Sequence, residues 1–183
     1  LEFRRVLFRS LTPTFELLNE FDSIEPDIFH MIDLEWRNEN ELLYAGGYQD
    51  DTCECRKMGI QVLDTSMQLK HFNSFGDNTV MRNYVGILNS IAINNENNIY
   101  FGGTYKVVYS LFPTIENQLA IHKLDSNLNT NWSYLLGGDA YYNMCSITSS
   151  EDGGCVFAAT RYDWETQNQI GRASCRERVY TKV

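Results

Sequence analysis

Short apolar-rich runs alternate with polar, turn-forming clusters along most of the chain. Residues 32–47, 90–103 and 146–159 each read as an apolar-rich strand, a polar turn and a second strand ending in two small residues. The small pairs are Gly46-Gly47, Gly102-Gly103 and Ala158-Ala159, spaced by 56 residues and again by 56. Between them a second hairpin recurs: residues 59–64 and 69–77 in the first instance, 119–125 and 131–139 in the second. One repeat therefore holds four short strands rich in Ile, Val, Tyr and Phe, bounded by Asn, Asp, Ser and Gly clusters.

Four antiparallel strands repeated at a fixed period predict propeller blades. The predicted fold class is all-β, a partial β-propeller of about two and a half four-stranded blades. The expected divisions are a last strand of a preceding blade in residues 11–27, blades over 28–84 and 85–143, and the first half of a further blade over 144–169. With the outer two strands of that last blade missing, residues 155–160 are expected to keep an unpaired edge.

The two ends are set apart. Residues 2–10 back-translate as GAG TTC AGA CGT GTG CTC TTC CGA TCT, and residues 170–179 as ATC GGA AGA GCG TCG TGT AGG GAA AGA GTG. Both resemble translated sequencing adapters, and the inner part of the first is the reverse complement of the start of the second. No fold requires such a relation. Residues 1–10 and 170–183 are accordingly expected to be artefactual extensions that add little to the core. The natural start and stop are expected to lie outside the chain, together with any signal peptide.

Trp132-Ser-Tyr-Leu-Leu-Gly-Gly-Asp-Ala-Tyr-Tyr, the strand after it, and the turn Glu151-Asp-Gly-Gly154 carry a more specific likeness. They resemble the bacterial β-propeller repeat of the SBBP type: a tryptophan strand, Gly-Gly, an aromatic linker, a strand, Asp-Gly-Gly and a strand ending in small residues. Ala158-Ala159 and a long insertion at residues 105–117 depart from that pattern. The resemblance implies a secreted or cell-surface protein and says little about chemistry.

Composition narrows the partners. The whole chain has 15 basic and 24 acidic residues; without the seven basic and two acidic residues of the ends, 8 and 22 remain, a net charge of −14. Such a surface repels phosphate backbones and anionic membranes, so neither nucleic acid nor membrane insertion is expected. No apolar run reaches the length of a transmembrane helix. Four cysteines remain, Cys53, Cys55, Cys145 and Cys155, which allow three pairings. Cys53-Glu54-Cys55 lacks the spacing of a zinc knuckle. Cys145 and Cys155, among apolar residues, read as small buried hydrophobes.

Strand alternation puts the connections after strands one and three at one end and those after strands two and four at the other. The first set, residues 37–40, 65–68, 94–97, 125–130 and 150–153, is short and polar. The second, residues 48–57, 77–84, 105–117, 139–143 and 161–169, is longer and varied, as recognition loops are. A binding surface for a protein or carbohydrate is therefore predicted there, with Asp50, Asp51, Arg56, Tyr105, Tyr109, Phe112, Tyr141, Tyr142, Tyr162 and Trp164 as candidates. The competing reading is that these aromatics pack between neighbouring blades.

Sharper motifs are weak. Ser150-Glu-Asp-Gly-Gly-Cys-Val-Phe157 matches a sialidase Asp box, a structural element, without the arginine cluster of the active site. Asp125 to Asn131 has oxygen donors at alternate positions but Thr130 and Leu136 where a calcium loop needs Gly and Glu, so an Asx turn is expected. His30, His71 and His122 fall singly on different strands, and there is no nucleophile elbow, phosphate loop or dinucleotide fingerprint. No cofactor and no metal site are predicted. The favoured function is a non-catalytic binding or scaffolding propeller whose other blades belong to the same parent chain. The alternative is a propeller hydrolase or quinoprotein-like enzyme with its catalytic residues in blades outside this chain.

Overall fold

The structure, a computed structural model, describes residues 8–11, 17–21, 26, 28–76, 82–107, 116–162 and 172–175. Its described elements are all strands: β1 (Phe8–Leu11), β2 (Leu17–Phe21), β3 (Ile28–Asn38), β4 (Glu41–Asp50), β5 (Cys55–Asp64), β6 (Leu69–Phe75), β7 (Arg82–Val85), β8 (Ile91–Ile93), β9 (Ile99–Val107), β10 (Gln118–Leu124), β11 (Thr130–Gly137), β12 (Tyr141–Ser149), β13 (Cys155–Tyr162) and β14 (Arg172–Cys175). The all-β expectation holds, with every strand pair antiparallel.

β3 to β6 form one sheet in sequence order; β9, β10 and β11 continue a second whose first position is shared by β7 and β8; β12, β13 and β14 make a third. β7 joins β9, so the first sheet ends at Phe75 and the second begins at Arg82. Both chain ends carry a short strand: β1 pairs with β2, and β14 lies along β13 from Phe157 to Thr160. The expectation of an open edge on β13 is thereby corrected, because the C-terminal segment supplies the strand that pairs with it.

The sheets stack face to face. Leu43, Ala45, Met58, Ile60 and Val62 of the first meet Ile99, Phe101, Ala120 and Leu124 of the second in one core. Tyr100, Leu119 and Ile121, on the other face of the second sheet, meet Met144, Ile147, Cys155 and Phe157 of the third. The middle sheet is thus buried on both sides.

Register corrects the repeat. Leu42 pairs with Leu63 ahead of the turn opened by Asp64, and Ile99 pairs with Leu124 ahead of an identical turn opened by Asp125. Leu42 therefore corresponds to Ile99, a step of 57, while Ile99 corresponds to Cys155, a step of 56. Gly46, not Gly47, takes the place of Gly103. A one-residue slip sends every side chain to the opposite face. With the step of 57, Leu42, Tyr44 and Leu63 face backward like Ile99, Phe101 and Leu124, and Leu43, Met58 and Ile60 face forward like Tyr100, Leu119 and Ile121.

The first strand position is also interrupted at the same place in every sheet. Register shifts fall between Phe29 and Asp33 and between Met144 and Ser146, and in the middle sheet the strand splits into β7 and β8. Irregularities of this kind bend a strand and sharpen its twist. At the splits the sheets are joined: Asp33 Oδ2 accepts from Ser90 N at 2.6 Å and Ile91 N at 2.8 Å, and Asn89 O accepts from Ile147 N at 2.9 Å.

Candidate functional site

At the end of the stack that carries the short connections, residues 64–68, 94–98, 125–129 and 150–154 form one turn four times. The first residue donates its N–H to the fifth carbonyl, and the fourth donates to the first. The fourth residue, Met67, Asn97, Leu128 or Gly153, has φ between 60° and 79°. Oδ1 of Asp64, Asn94 and Asp125 accepts from the N–H groups of the third and fifth residues at 2.8 to 3.0 Å. In the last turn Ser150 stands first, and Asp152 Oδ1 accepts from Ser150 Oγ and Gly154 N. The oxygen pattern at Asp125 and the Asp box are thus both turn braces, as expected of an Asx residue. Asp125 is held below the usual carboxylate range, first by the Asn129 side chain.

Between the second and fourth of these turns lies an open cleft of about 640 Å³, lined by Asn94, Glu96, Lys123, Ser150, Glu151 and Asp152. It opens at the end opposite the long loops. Its walls are polar, with no apolar floor of the kind that buries a small ligand.

The long-loop end holds the predicted residues in separate groups. Asp50 ends β4, half-buried, and pairs with Lys57 Nζ at 2.6 Å while accepting from Thr52 N and Oγ1. Lys57 first, then Thr52, hold its carboxyl down at about 2. Asp51 is exposed in the following turn, and Arg56 is half-buried on β5, its carbonyl accepting from the buried Asn83. In the same loop Cys53 and Cys55 form a disulfide, one of the pairings left open by the sequence. Cys145 and Cys155 are free thiols; Cys155 is buried, and burial pushes its thiol up to about 11.

Tyr105 does not stand with these. Its hydroxyl lies 3.2 Å from His122 Nε2, and the other ring nitrogen lies 2.7 Å from Ser133 Oγ. His122 stacks on Phe75 at 4.1 Å, and burial lowers it to about 4. A serine beside an imidazole resembles a nucleophile and its base. Here the imidazole is buried, and a hydroxyl rather than a carboxylate takes its second nitrogen, so the group reads as a satisfied core histidine.

Tyr141, Tyr142 and Tyr162 lie at the adjoining ends of β12 and β13 as members of two pairs, Tyr141 opposite Tyr162 and Tyr142 opposite Arg161, and strand alternation sends the two pairs to opposite faces of the sheet. Two residues outside the predicted set bond to Tyr142. The Tyr142 hydroxyl donates to Asp139 Oδ1 at 2.6 Å, Arg161 Nε donates to the Tyr142 oxygen at 3.1 Å, and Arg161 Nη2 reaches Asp139 Oδ2 at 3.2 Å. Burial first, then the bond to Asp139, raise Tyr142, while that bond lowers Asp139. Buried Asn117 holds the loop from behind: its side chain accepts from Tyr142 N and donates to Tyr142 O, and its carbonyl accepts from Gly138 N. One half-buried phenol beside an ion-paired guanidinium offers flat apolar area with fixed donors and acceptors, which suits binding rather than bond breaking.

Tyr109, Phe112 and Trp164 lie outside the described residues. Among the described residues no helix is long and apolar enough to cross a membrane. The one group of metal-ligating side chains found among them is Asp50, Cys53 and Cys55. No family model matches the chain, and no curated protein matches it significantly.

Proposed function

We propose that the chain is a run of blades from a β-propeller that binds or scaffolds without catalysis, outside the cell or on its surface. The observation that carries this reading is the coverage of one repeated position. Ile91 and Ile147 open their sheets under the preceding sheet and are each 2% exposed, whereas Leu34, their counterpart in the first sheet, is 44% exposed. On β3 the first sheet thus presents a position that its successors bury, while Leu42, Tyr44 and Leu63 on the same face are covered. A further four-stranded sheet supplied by the parent chain fits there, as each blade of a propeller covers the next.

The recognition surface on this reading is the long-loop end, where Tyr142, Arg161 and Asp139 form one bonded group and Tyr141 and Tyr162 pair on the other face of the same hairpin. A carbohydrate ring stacked on a phenol face, or a protein loop carrying an acidic group, matches that chemistry. The test is a screen of the chain against immobilised glycans and extracellular proteins, repeated with Tyr142→Ala and Arg161→Ala and with Asn95→Ala and Glu151→Ala at the opposite end. Loss of binding confined to the first pair is the expected result. Binding that depends on the second pair, or turnover of a hydrolase substrate, would overturn the reading.

A further inference from the structure

The connection between β4 and β5 carries chemistry that a binding loop does not need. Asp50 and Cys55 face each other as the last paired residues of the hairpin, and Cys53 sits in the turn between them, its N–H donating to Asp50 O. The disulfide joins residues only two apart in sequence. A bridge that closes so small a loop removes little freedom from the unfolded chain, because the entropic effect of a cross-link grows with the loop it closes. The hairpin itself already holds the two strands, through ten paired positions from Glu41 to Asp50. Stability therefore does not account for this bridge.

Its two sulfurs are unequal. Cys55 is 1% exposed and Cys53 is half-buried at the surface of the turn. Arg56 and Lys57 follow Cys55 directly, the exposed Glu54 stands between the two cysteines, and Lys57 reaches back 2.6 Å to offset the Asp50 carboxylate, which lies within 4.8 Å of both sulfurs. Cationic neighbours favour a thiolate, and thiol exchange proceeds at the sulfur a thiolate can reach.

We propose that Cys53 and Cys55 form a thiol–disulfide exchange site whose substrates are thiols and disulfides of small molecules or partner proteins. In the reducing direction an incoming thiolate attacks Cys53 Sγ. The Cys53–Cys55 bond breaks, a mixed disulfide forms on Cys53, and Cys55 leaves as a thiolate that takes up a proton. A second thiol attacks the mixed disulfide, so two thiols become one disulfide while the protein disulfide becomes two thiols. In the oxidising direction Cys55 attacks a mixed disulfide on Cys53 and expels the thiol. Held two residues away, Cys55 is an intramolecular nucleophile, and closure is fast. Cys53 is then the entry sulfur and Cys55 the resolving one.

The test uses the whole chain under native conditions with reduced and oxidised glutathione, alkylation of thiols and mass analysis of the peptides. The expected result is reversible interconversion of the Cys53–Cys55 disulfide and dithiol while Cys155 resists alkylation. Cys55→Ser should trap a stable glutathione adduct on Cys53, whereas Cys53→Ser should leave Cys55 largely unmodified. Circular dichroism of both variants, matched to the parent, keeps the comparison about chemistry. A disulfide that yields to glutathione only in denaturant overturns the proposal. So does a dithiol that zinc ions protect from alkylation and from oxidised glutathione alike, which would assign Asp50, Cys53 and Cys55 to a metal.

Discussion

The Asp33 carboxylate reaches out of the first sheet to take the Ile91 amide of the second at 2.8 Å. The same oxygen accepts from Ser90 N at 2.6 Å, and the other accepts from Leu34 N at 2.9 Å. Where the second sheet meets the third, a backbone carbonyl does the equivalent work, Asn89 O taking the Ile147 amide. A side chain thus accepts from two N–H groups at a buried junction. Asp33→Ala removes this acceptor from both and should lower stability by about 2–6 kcal/mol, since each buried unsatisfied donor costs about 1–3 kcal/mol. Asp33→Asn keeps an acceptor oxygen and should cost less. Urea unfolding of the three proteins checks the order, and equal losses for Ala and Asn would refute it.

The strand and turn content, the four strands of the first sheet and the near-regular step were legible in the sequence, because Asn, Asp, Ser and Gly punctuate short β-rich runs. The register was not. Glycine carries no side chain, so the pair Gly46-Gly47 aligns with Gly102-Gly103 as readily as one position away, and only the facing of Leu42 against Leu43 decides it. The Asx residues of the turns were the better ruler: Asp64 and Asp125 open identical turns, and counting back from them recovers the correspondence of Leu42 with Ile99. The tyrosine group was half legible. Its phenols stood out as loop aromatics, but Asp139 and Arg161 are brought together only by the pairing of β12 with β13, and sequence spacing does not announce that.

His122 sets a pH dependence apart from that of the carboxylates. Burial lowers it from 6.5 to about 4, so between those values the unfolded chain binds a proton that the folded one refuses. Stability should therefore be full above pH 6.5, fall as the pH drops toward 4, and stop falling on this account below it. The full loss is on the order of 3 kcal/mol, because each tenfold difference in proton affinity between the folded and unfolded chain is worth about 1.4 kcal/mol. Asp50 contributes only lower, between 3.8 and about 2. Denaturant midpoints measured from pH 7 to 4 should flatten in His122→Gln, and an unchanged slope would show that another group carries the effect.

Two glycines should respond to alanine for different reasons. At Gly103 a Cβ would run into Met58 Sδ of the first sheet and the Tyr84 carbonyl of its own sheet. A backbone carbonyl cannot move aside as a side chain does, so Gly103→Ala should cost about 3 kcal/mol or more, at or above the upper end of overpacking penalties. Gly153 has open space around the same atom but sits at φ 79°. Gly153→Ala should cost only the left-handed strain, about 1–2 kcal/mol. Thermal or urea unfolding that ranks Gly153→Ala as the worse of the two would contradict the sheet stacking described above.

The backward face of the first sheet should make the chain associate. Leu34 is 44% exposed and Trp36 59%, with Ile32 and Leu69 also exposed beside them over the buried Leu42, Tyr44 and Leu63. Contiguous apolar surface of this kind is uncommon on a monomer and drives contact between copies. In the second and third sheets the positions of Leu34 are shielded by a neighbouring sheet, and nothing equivalent among the described residues shields it here. Sedimentation velocity across a range of concentrations should therefore show self-association, weakening in Leu34→Lys with Trp36→Lys. Because both side chains already meet water, that pair of changes should move folding stability by no more than about 0.5 kcal/mol each. If the parent stays monomeric at high concentration, the face does not need a cover. If the double variant unfolds instead of dissociating, Leu34 and Trp36 hold their own sheet together, and the case for a further sheet stacked on them fails.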